Sequence, residues 1–305
     1  MANKENEQKW LVQTDYIHPW GKDGKIEAGL KAMLRSINND FKVEEQNNDD
    51  SWDILEGFDN QFLYNENIYA AYLMAGNKWG KFQGQLGLRA EYSDVKTNLV
   101  KTATINQRRY LDFFPSANLS YEFKHQNNLQ LSYSRRISRP RFWSLLPFFG
   151  YSDARNLFGG NPNLNPEYTH SIELGHLKYF EKGSILSSVY YRHTTGKNER
   201  LVFSDSTTGI TQMYPVNIGL ENSLGLELAL SYKPWAWWDV TGSANFFRAI
   251  MQGEYLGVNY DNDTYAWTCN LKSKWTIAKI VHVQVSFNYN SPRLDPQGKL
   301  FARYN

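Results

Sequence analysis

The sequence lacks any apolar run that approaches the roughly 20 residues of a transmembrane helix, and the mean hydropathy of its 305 residues is −0.59. Cysteine is nearly absent: Cys269 stands alone, which excludes an internal disulfide. The formal net charge of +2 gives no argument for a nucleic-acid partner. These absences exclude a helical membrane span, a disulfide framework and strong charge-driven recognition.

Signatures of catalysis and of metal binding are also missing. Six histidines are scattered along the chain without a close pair at metal-ligand spacing: His18, His125, His170, His176, His193 and His282. A nucleophile elbow, a paired-cysteine motif and a phosphate-binding loop are absent. The sequence therefore predicts a protein that is not an enzyme and that needs no cofactor.

A strict alternation of apolar and polar residues is the main positive signal. In one segment Ile26, Ala28, Leu30, Ala32 and Leu34 share a face, opposite Glu27, Lys31 and Arg35. The segments 82–92, 224–232 and 281–289 repeat the pattern. A period of two places each apolar set on one face of a β-strand, whereas a helix would spread the charges around its circumference.

Twelve such strands can be placed along the chain. They are predicted at 9–18, 25–36, 61–75, 81–95, 107–123, 128–138, 168–180, 184–203, 210–232, 238–250, 264–275 and 281–290. Tight turns alternate with mostly longer connections at 37–60, 96–106, 139–167 and 251–263. Outer-membrane barrels combine short periplasmic turns with longer extracellular loops. The pattern therefore predicts an all-β, antiparallel up-and-down transmembrane β-barrel.

Aromatic residues are abundant, at 15% of the chain, and many lie near predicted strand ends. Examples are Trp10, Trp20, Phe62, Trp79, Phe82, Trp235, Trp237, Trp238 and Trp275. An aromatic ring combines an apolar body with a polar edge, which suits the membrane–water interface. The alternative interpretation is packing in the core of a soluble β-protein.

Two sequence stretches carry a family resemblance. The first, 131–140, reads LSYSRRISRP; the second, 159–168, reads GGNPNLNPEY and leads into SIELG at 171–175. Supporting pieces are FPSANLSY at 114–121, NIG at 217–219 and GLE at 225–227. Together they resemble the barrel of TonB-dependent outer-membrane receptors, in the outer membrane β-barrel protein family.

The resemblance implies a larger protein in the bacterial cell outer membrane. Such a receptor has about 22 strands, an N-terminal plug domain and a segment that contacts the TonB energy-coupling system. Residues 1–9 show no apolar signal-peptide core. We therefore expect residues 1–305 to be one partial barrel domain without plug, signal peptide or C-terminal strands. About 12 strands of a wider barrel would form an open arc with unpaired terminal strands.

The motif residues have structural and functional interpretations. The set implied by the resemblance is Arg135, Arg136, Arg139, Pro140, Gly160, Asn161, Pro162, Leu164, Pro166 and Glu167. The arginines either contact an anionic substrate or pair with lumen carboxylates such as Glu122 and Glu173, or with the plug. Neighbours on a regular strand face opposite ways, so Arg135 and Arg136 cannot both face the lumen. The proline- and asparagine-rich stretch predicts a rigid, sharply turned loop.

The long loop between Arg139 and Glu167 is the candidate ligand-contact region, because loops carry function in such scaffolds. Its candidate residues are Arg139, Phe142, Trp143, Phe148, Phe149 and Tyr151, whose rings could stack on a ligand. The competing interpretation is that these rings only pack the loop against its neighbours.

Three functions are compatible with the sequence. The first is the barrel portion of a receptor that takes up a small-molecule or oligomeric nutrient, with outer-membrane lipid, the plug and the TonB system as partners and no nucleic acid. The second is a surface or soluble carbohydrate-binding β-protein. The third is an outer-membrane hydrolase, which a barrel fold alone does not imply.

Overall fold

The computed structural model describes residues 2–147, 150–153, 155–278 and 280–304, and for 2, 56–58 and 150–153 the backbone only. Its elements, in chain order, are β1 (Ala2–Trp20), β2 (Gly24–Gln46), β3 (Trp52–Trp79), β4 (Phe82–Leu99), β5 (Thr104–Phe123), β6 (Asn127–Ser138), α1 (Phe142–Leu145), β7 (Gly150–Asp153), β8 (Asn156–Phe158), β9 (Glu167–Phe180), β10 (Gly183–Ser204), β11 (Thr211–Trp235), β12 (Trp238–Tyr255), β13 (Val258–Asn259), β14 (Asn262–Ile277), β15 (Val281–Asn290), β16 (Arg293–Asp295), β17 (Gly298–Leu300) and β18 (Arg303–Tyr304).

The twelve long strands form one antiparallel sheet. Its order is β1 to β6, then β9, β10, β11, β12, β14 and β15, so each strand pairs with the next long strand along the chain. This meander confirms the predicted up-and-down architecture. Among the described residues, no helix is long and apolar enough to cross a membrane.

The strands are longer than the sequence predicts. β3 has 28 residues, whereas the alternation predicts only 61–75, and β2 extends to Gln46. The predicted loop 37–60 is therefore wrong: it is mostly a hairpin closed by a turn at 47–51, and the predicted loops 96–106 and 251–263 are shortened in the same way. Apolar alternation marks only the part of a strand that faces lipid, so a pattern based on it misses polar strand extensions in water.

The strand register joins the apolar faces into one surface. One row of directly paired residues crosses ten strands: Ile26, Ala75, Leu86, Ala117, Tyr133, Ile172, Tyr191, Leu224, Arg248 and Tyr265. Leu30 pairs with Ala71 and Leu88 with Leu73, which places Leu30 and Leu88 on the same face. Leu88 is 50% exposed, as expected for a side chain whose neighbour is lipid.

The opposite face is polar and more buried. The next row of paired residues includes Ser116, Ser134, Ser171, Arg192, Ser223 and Thr264. Ser188, Ser223 and Thr264 are buried, while large apolar residues on the outer face are exposed. This inversion of the usual burial order is what an outer-membrane barrel wall requires.

Aromatic rows bound the apolar surface at two levels. At the short-turn end, Trp235 stacks on Trp237 and on Trp238, each at 5.4 Å between ring centroids. At the other end the outward row includes Tyr69 paired with Tyr92. Residues 69 to 79 of β3 advance about 33 Å along the strand and, at a tilt near 40°, about 25 Å through the membrane.

Phe62 is an exception to the predicted girdle. It is 0% exposed and belongs to an internal cluster with Ile37 and Tyr64. Its even position on β3 places it on the face opposite Tyr69 and Trp79, in the strand extension beyond the apolar band. Position near a strand end predicts an aromatic belt only for residues of the outward parity.

The sheet does not close on itself. In the part of the chain that the structure describes, β1 pairs along its whole length with β2 and has no partner on its other edge. β15 meets β18 at two residue pairs only, Tyr289 with Tyr304 and Asn290 with Arg303. The open arc predicted from the strand count is confirmed.

Candidate functional site

The wall has a notch at its extracellular end. β6 ends at Ser138 and β9 begins at Glu167, whereas β5 and β10 extend further from the short turns. Pairing of β5 with β6 stops at Ser116 and Ser134. Pro115, which has no N–H to donate, follows this limit on β5, and Pro140 follows the end of β6. Residues 139–166, here named the notch segment, occupy the opening.

Apolar side chains anchor the notch segment to the wall. Phe142 and Leu145 of α1 and Leu164 are buried against Ile37, Phe62 and Tyr64. The Phe142 ring lies 5.8 Å from that of Phe62 and 5.7 Å from that of Tyr64, between centroids. A helix of one turn is not stable alone, so this packing holds it in place.

Arg139 ties the start of the segment to β4. Its Nη2 donates to Glu91 Oε2 at 2.6 Å and to Ser93 Oγ at 2.9 Å, while Nε donates to Tyr110 Oη at 3.2 Å. Glu91 also accepts from Arg89. Both Glu91 and Ser93 are buried, so each polar group of the network is compensated by hydrogen bonds rather than by water.

Arg135 and Tyr168 bridge the gap where β5 and β6 separate. Arg135 Nη1 donates to the carbonyl of Phe113 at 2.6 Å, and its guanidinium lies 4.7 Å from the centre of the Tyr168 ring. Tyr168 Oη donates to Asp112 Oδ2 at 2.8 Å, and Arg135 Nη2 lies 3.4 Å from Asp112 Oδ1. These side chains replace the missing strand-to-strand hydrogen bonds.

The proline- and asparagine-rich stretch is held from both sides. Arg108 of β5 donates to the carbonyls of Leu164 and Pro162, the latter at 3.1 Å. On the other side, Asn161 Nδ2 donates to the carbonyl of Pro215 on β11 at 3.1 Å. The segment is therefore clamped between β5 and β11, which lie on opposite sides of the notch.

Asn217 and Glu167 complete the clamp. Asn217 Oδ1 accepts from the Asn165 amide at 2.8 Å, and its Nδ2 donates to the Gly196 carbonyl at 2.7 Å. Glu167 Oε1 accepts from the Asn198 amide at 2.7 Å. β8 adds a short parallel pairing with β11 from Thr211 to Met213. The edge of β11 that extends beyond β12 is thus covered.

Gly160 has a steric reason to be glycine. A Cβ atom there would lie 2.6 Å from the Leu146 carbonyl oxygen and 2.7 Å from that of Ser144. Both are backbone atoms, and the Gly160 amide donates to the same Leu146 carbonyl at 2.8 Å. Any side chain would push the segment away from α1.

Burial of charge perturbs Glu66, which lies on β3 beyond Tyr69 and outside the apolar band. Its side chain is 6% exposed. Burial raises the pKa of the Glu66 carboxyl above its ordinary value, while the positive charges of Arg139 and Arg35 act in the opposite direction. The wall beneath the notch segment therefore contains a carboxyl group that favours its neutral form.

The structure brings most of the predicted residues together but gives them different surroundings. Arg139 and Phe142 are buried in the wall, with Phe142 2% exposed, whereas Trp143 is 55% exposed. Phe148 and Phe149 lie outside the described residues, as does the side chain of Tyr151. As expected, Arg135 and Arg136 take opposite parity: Arg135 aligns with His170 of the outward row and Arg136 with Thr169 of the lumen row.

The arginines do not pair with Glu122 or Glu173. Their carboxylate partners are Asp112 for Arg135 and Glu91 for Arg139. Sequence reasoning also missed Arg108 and Asn217, since both sit in ordinary strand patterns. Only the fact that 217–219 belongs to a motif of the resemblance marked Asn217.

The arrangement suits a rigid wall rather than catalysis. Across the residues that the structure describes, no group of three or more His, Cys, Asp or Glu side chains could hold a metal ion. The charged groups of the site are consumed by hydrogen bonds that join the notch segment to neighbouring strands.

A comparison of the sequence with family models places these features. The model described as "Outer membrane protein beta-barrel family" matches residues 1–305. The chain belongs to the outer membrane protein beta-barrel family. This family member is accordingly a protein of the bacterial outer membrane, and the inverted burial of its sheet is the physical counterpart. A search of curated proteins found no match.

Solved structures share the fold of this family member. The ferric-catecholate import receptor Fiu from K12 E. coli matches with a TM-score of 0.68 and 13% identity, over 99% of this chain and 48% of that one. The copper transporter OprC matches at 0.67 and 12%, over 99% and 47%. The ferric yersiniabactin uptake receptor FyuA from Yersinia pestis matches at 0.63 and 11%, over 99% and 46%.

These matches confirm the fold resemblance to receptor barrels that the motifs indicated. The chain spans about half the length of the solved structures it matches. These neighbours are transport proteins rather than enzymes.

Proposed function

We propose that this chain is the barrel portion of an outer-membrane receptor that takes up an extracellular nutrient, either a small molecule or an oligomer. The observation that carries the proposal is the inverted sheet, with a polar lumen face and an apolar outer face, in the fold of uptake receptors. In this proposal the chain is not an enzyme. Its partners are outer-membrane lipid and, in the complete receptor, a plug domain and the TonB energy-coupling system.

The notch segment is the proposed substrate-contact region. It lies at the end of the sheet opposite the short turns, which is the extracellular end in this class of barrel. Trp143 combines an exposed ring with a fixed base, because the adjacent Phe142 is buried and packs edge-on against it at 5.3 Å. An exposed aromatic on a rigid support is suited to stacking on a ligand at small entropic cost.

The test is substrate uptake by cells that express the full-length receptor with Trp143→Ala. We expect reduced binding and uptake at normal surface abundance, since stacking is lost while Phe142, Arg139 and Gly160 still hold the segment. Trp52→Ala is the matched control, because Trp52 is also exposed but lies at the start of β3. Unchanged uptake in Trp143→Ala, or an equal loss in Trp52→Ala, would remove the notch segment from the proposed site.

Energy coupling is tested separately. If the complete receptor works with the TonB system, substrate accumulation should stop in a strain without TonB, while binding at the cell surface persists. Accumulation that continues without TonB would refute this part of the proposal and leave the barrel assignment intact.

A further inference from the structure

A hairpin after β15 forms a cleft against the lumen face of the wall. β16 and β17 pair from Arg293 to Leu300, and the Leu294 amide donates to Thr264 Oγ1 of β14 at 3.0 Å. At the hairpin turn, the Gln297 side chain forms two hydrogen bonds with the backbone of Val202, at 2.5 and 2.9 Å. The hairpin is thus fixed to β14 and to the distant β10.

The cleft lies between the hairpin and β12, β14 and β15 and has a volume of about 270 Å³. Phe247 and Thr268 of its lining belong to the lumen face of the sheet, and Asn290 pairs in register with Arg303. Arg293 lies at the first residue of the hairpin and Arg303 follows it, so the turn of the chain brings both guanidinium groups to one cleft.

These two arginines differ from the other arginines of the wall. Arg139 pairs with Glu91, Arg109 with Asp94 and Arg248 with Asp263. In contrast, neither Arg293 nor Arg303 has a hydrogen bond or ion pair from its side chain to any described residue.

Uncompensated charge is the consequence of this geometry. The residues that line the cleft are Phe247, Ala266, Trp267, Thr268, Asn290, Ser291, Arg293, Leu300, Phe301 and Arg303, which include no aspartate or glutamate. Two like charges on a small cleft repel each other, and a bound anion converts this repulsion into attraction. Arginine is suited to this role because its planar fork matches carboxylate and phosphate oxygens.

Carboxylates occur in a neighbouring cavity that Arg293 also borders. Two of them, Glu199 and Glu221, lie 3.7 and 3.6 Å from the Lys197 ammonium. The third is Asp295, and among the described residues no ion pair joins it to Arg293. The two glutamates thus have a cation of their own, which leaves the charge of Arg293 available to the cleft.

We propose that this cleft binds a small organic anion that carries a carboxylate or phosphate group. Arg293 and Arg303 hold the anionic group, and Asn290 offers an amide for a further hydrogen bond. Phe301 and Phe247 provide apolar surface for the remainder of the ligand. At roughly 30 Å³ for each water volume, the cleft holds the equivalent of about nine waters, so it fits a compact ligand rather than an oligomer.

The proposal is independent of the uptake assignment, because it concerns equilibrium binding at a separate place in the lumen. The experiment is isothermal titration of the detergent-purified full-length protein with two probes, citrate and inorganic phosphate. Variants are Arg293→Gln, Arg303→Gln and the double change. The control is Lys299→Gln, which removes an exposed positive charge from the same hairpin without touching the cleft.

We expect each Arg→Gln change to weaken citrate binding about tenfold, as for the loss of a charge-assisted hydrogen bond. The control should change binding less than twofold. An absence of citrate and phosphate binding to the unchanged protein would overturn the proposal. So would equal weakening by Lys299→Gln, which would indicate diffuse electrostatic attraction.

Assembly of each variant is checked by its heat-modifiable migration in gels. Where a glutamine variant fails this check, Arg293→Lys and Arg303→Lys replace it, because they keep the charge but remove the planar fork. Weaker citrate binding in these lysine variants supports the proposal, and unchanged binding overturns it.

Discussion

Leu228→Arg tests the assignment of the two faces of the sheet directly. Leu228 lies on the outward row of β11, paired with Ser187 and Ala244. It is four residues from Tyr232 toward the short turns and four from Leu224 in the other direction, so it sits near the middle of the apolar band. An arginine there has to place its charge at the centre of the bilayer or distort the membrane around it.

The expected cost is about 2–4 kcal/mol, the range for arginine at the midplane on the lipid face of a barrel. At 1.4 kcal/mol per factor of ten, the folded population relative to the unfolded one falls roughly 30- to 700-fold. The control is Ser231→Arg on the same strand, whose side chain faces the lumen next to Ser184 and Thr241. Water and polar groups on that face should limit its cost to a small fraction.

The assay is equilibrium unfolding by urea of the full-length protein folded into lipid vesicles, followed by heat-modifiable gel migration. Leu228→Ala separates the loss of an apolar side chain from the insertion of charge, and it should cost less than the arginine. Equal destabilisation by Leu228→Arg and Ser231→Arg would refute the assignment of lipid and lumen faces. The same result in Leu228→Ala would show that packing, rather than membrane burial, governs this position.

Two further predictions concern the wall beneath the notch segment. Arg139→Gln removes the hydrogen bond to buried Glu91 and should destabilise the protein by up to about 3 kcal/mol, with faster protease cleavage within 139–166; the exposed Arg136→Gln should change neither. Glu66→Gln should stabilise the protein at pH 8, because burial raises the pKa of Glu66 and charging this carboxyl opposes folding as the pH rises. Thermal unfolding should show that this gain disappears below the ordinary carboxyl pKa near 4.5, and a gain that persists at pH 4 would contradict the electrostatic explanation.

The strand segments within the membrane are predictable from the sequence. Alternation alone assigns residues such as Leu30 and Leu88 to one face, because lipid on one side and a polar lumen on the other force a period of two. The strand extensions are not predictable in this way. Beyond Tyr69, both faces of β3 meet water or protein, so the alternation ends although the strand continues to Trp52.

The candidate site is predictable as a location but not as a set of contacts. The motifs containing Arg139 and Gly160 mark the long connection correctly, and their prolines and asparagines indicate a rigid loop. However, Phe142 cannot be distinguished from Trp143 by sequence, since both are aromatic and adjacent. One turn of helix places the first in the core and the second in solvent.

The sequence by itself determined the fold class, the number of long strands and their orientation, because each depends on a local repeat and on short turns. Only the tertiary structure decided which carboxylate each arginine meets and which residues clamp the notch segment. Arg108 and Leu164 are 56 positions apart, and Asn165 and Asn217 are 52 apart. Contacts of that kind depend on strand register and on the unequal heights of neighbouring strands, which no local pattern of residues encodes.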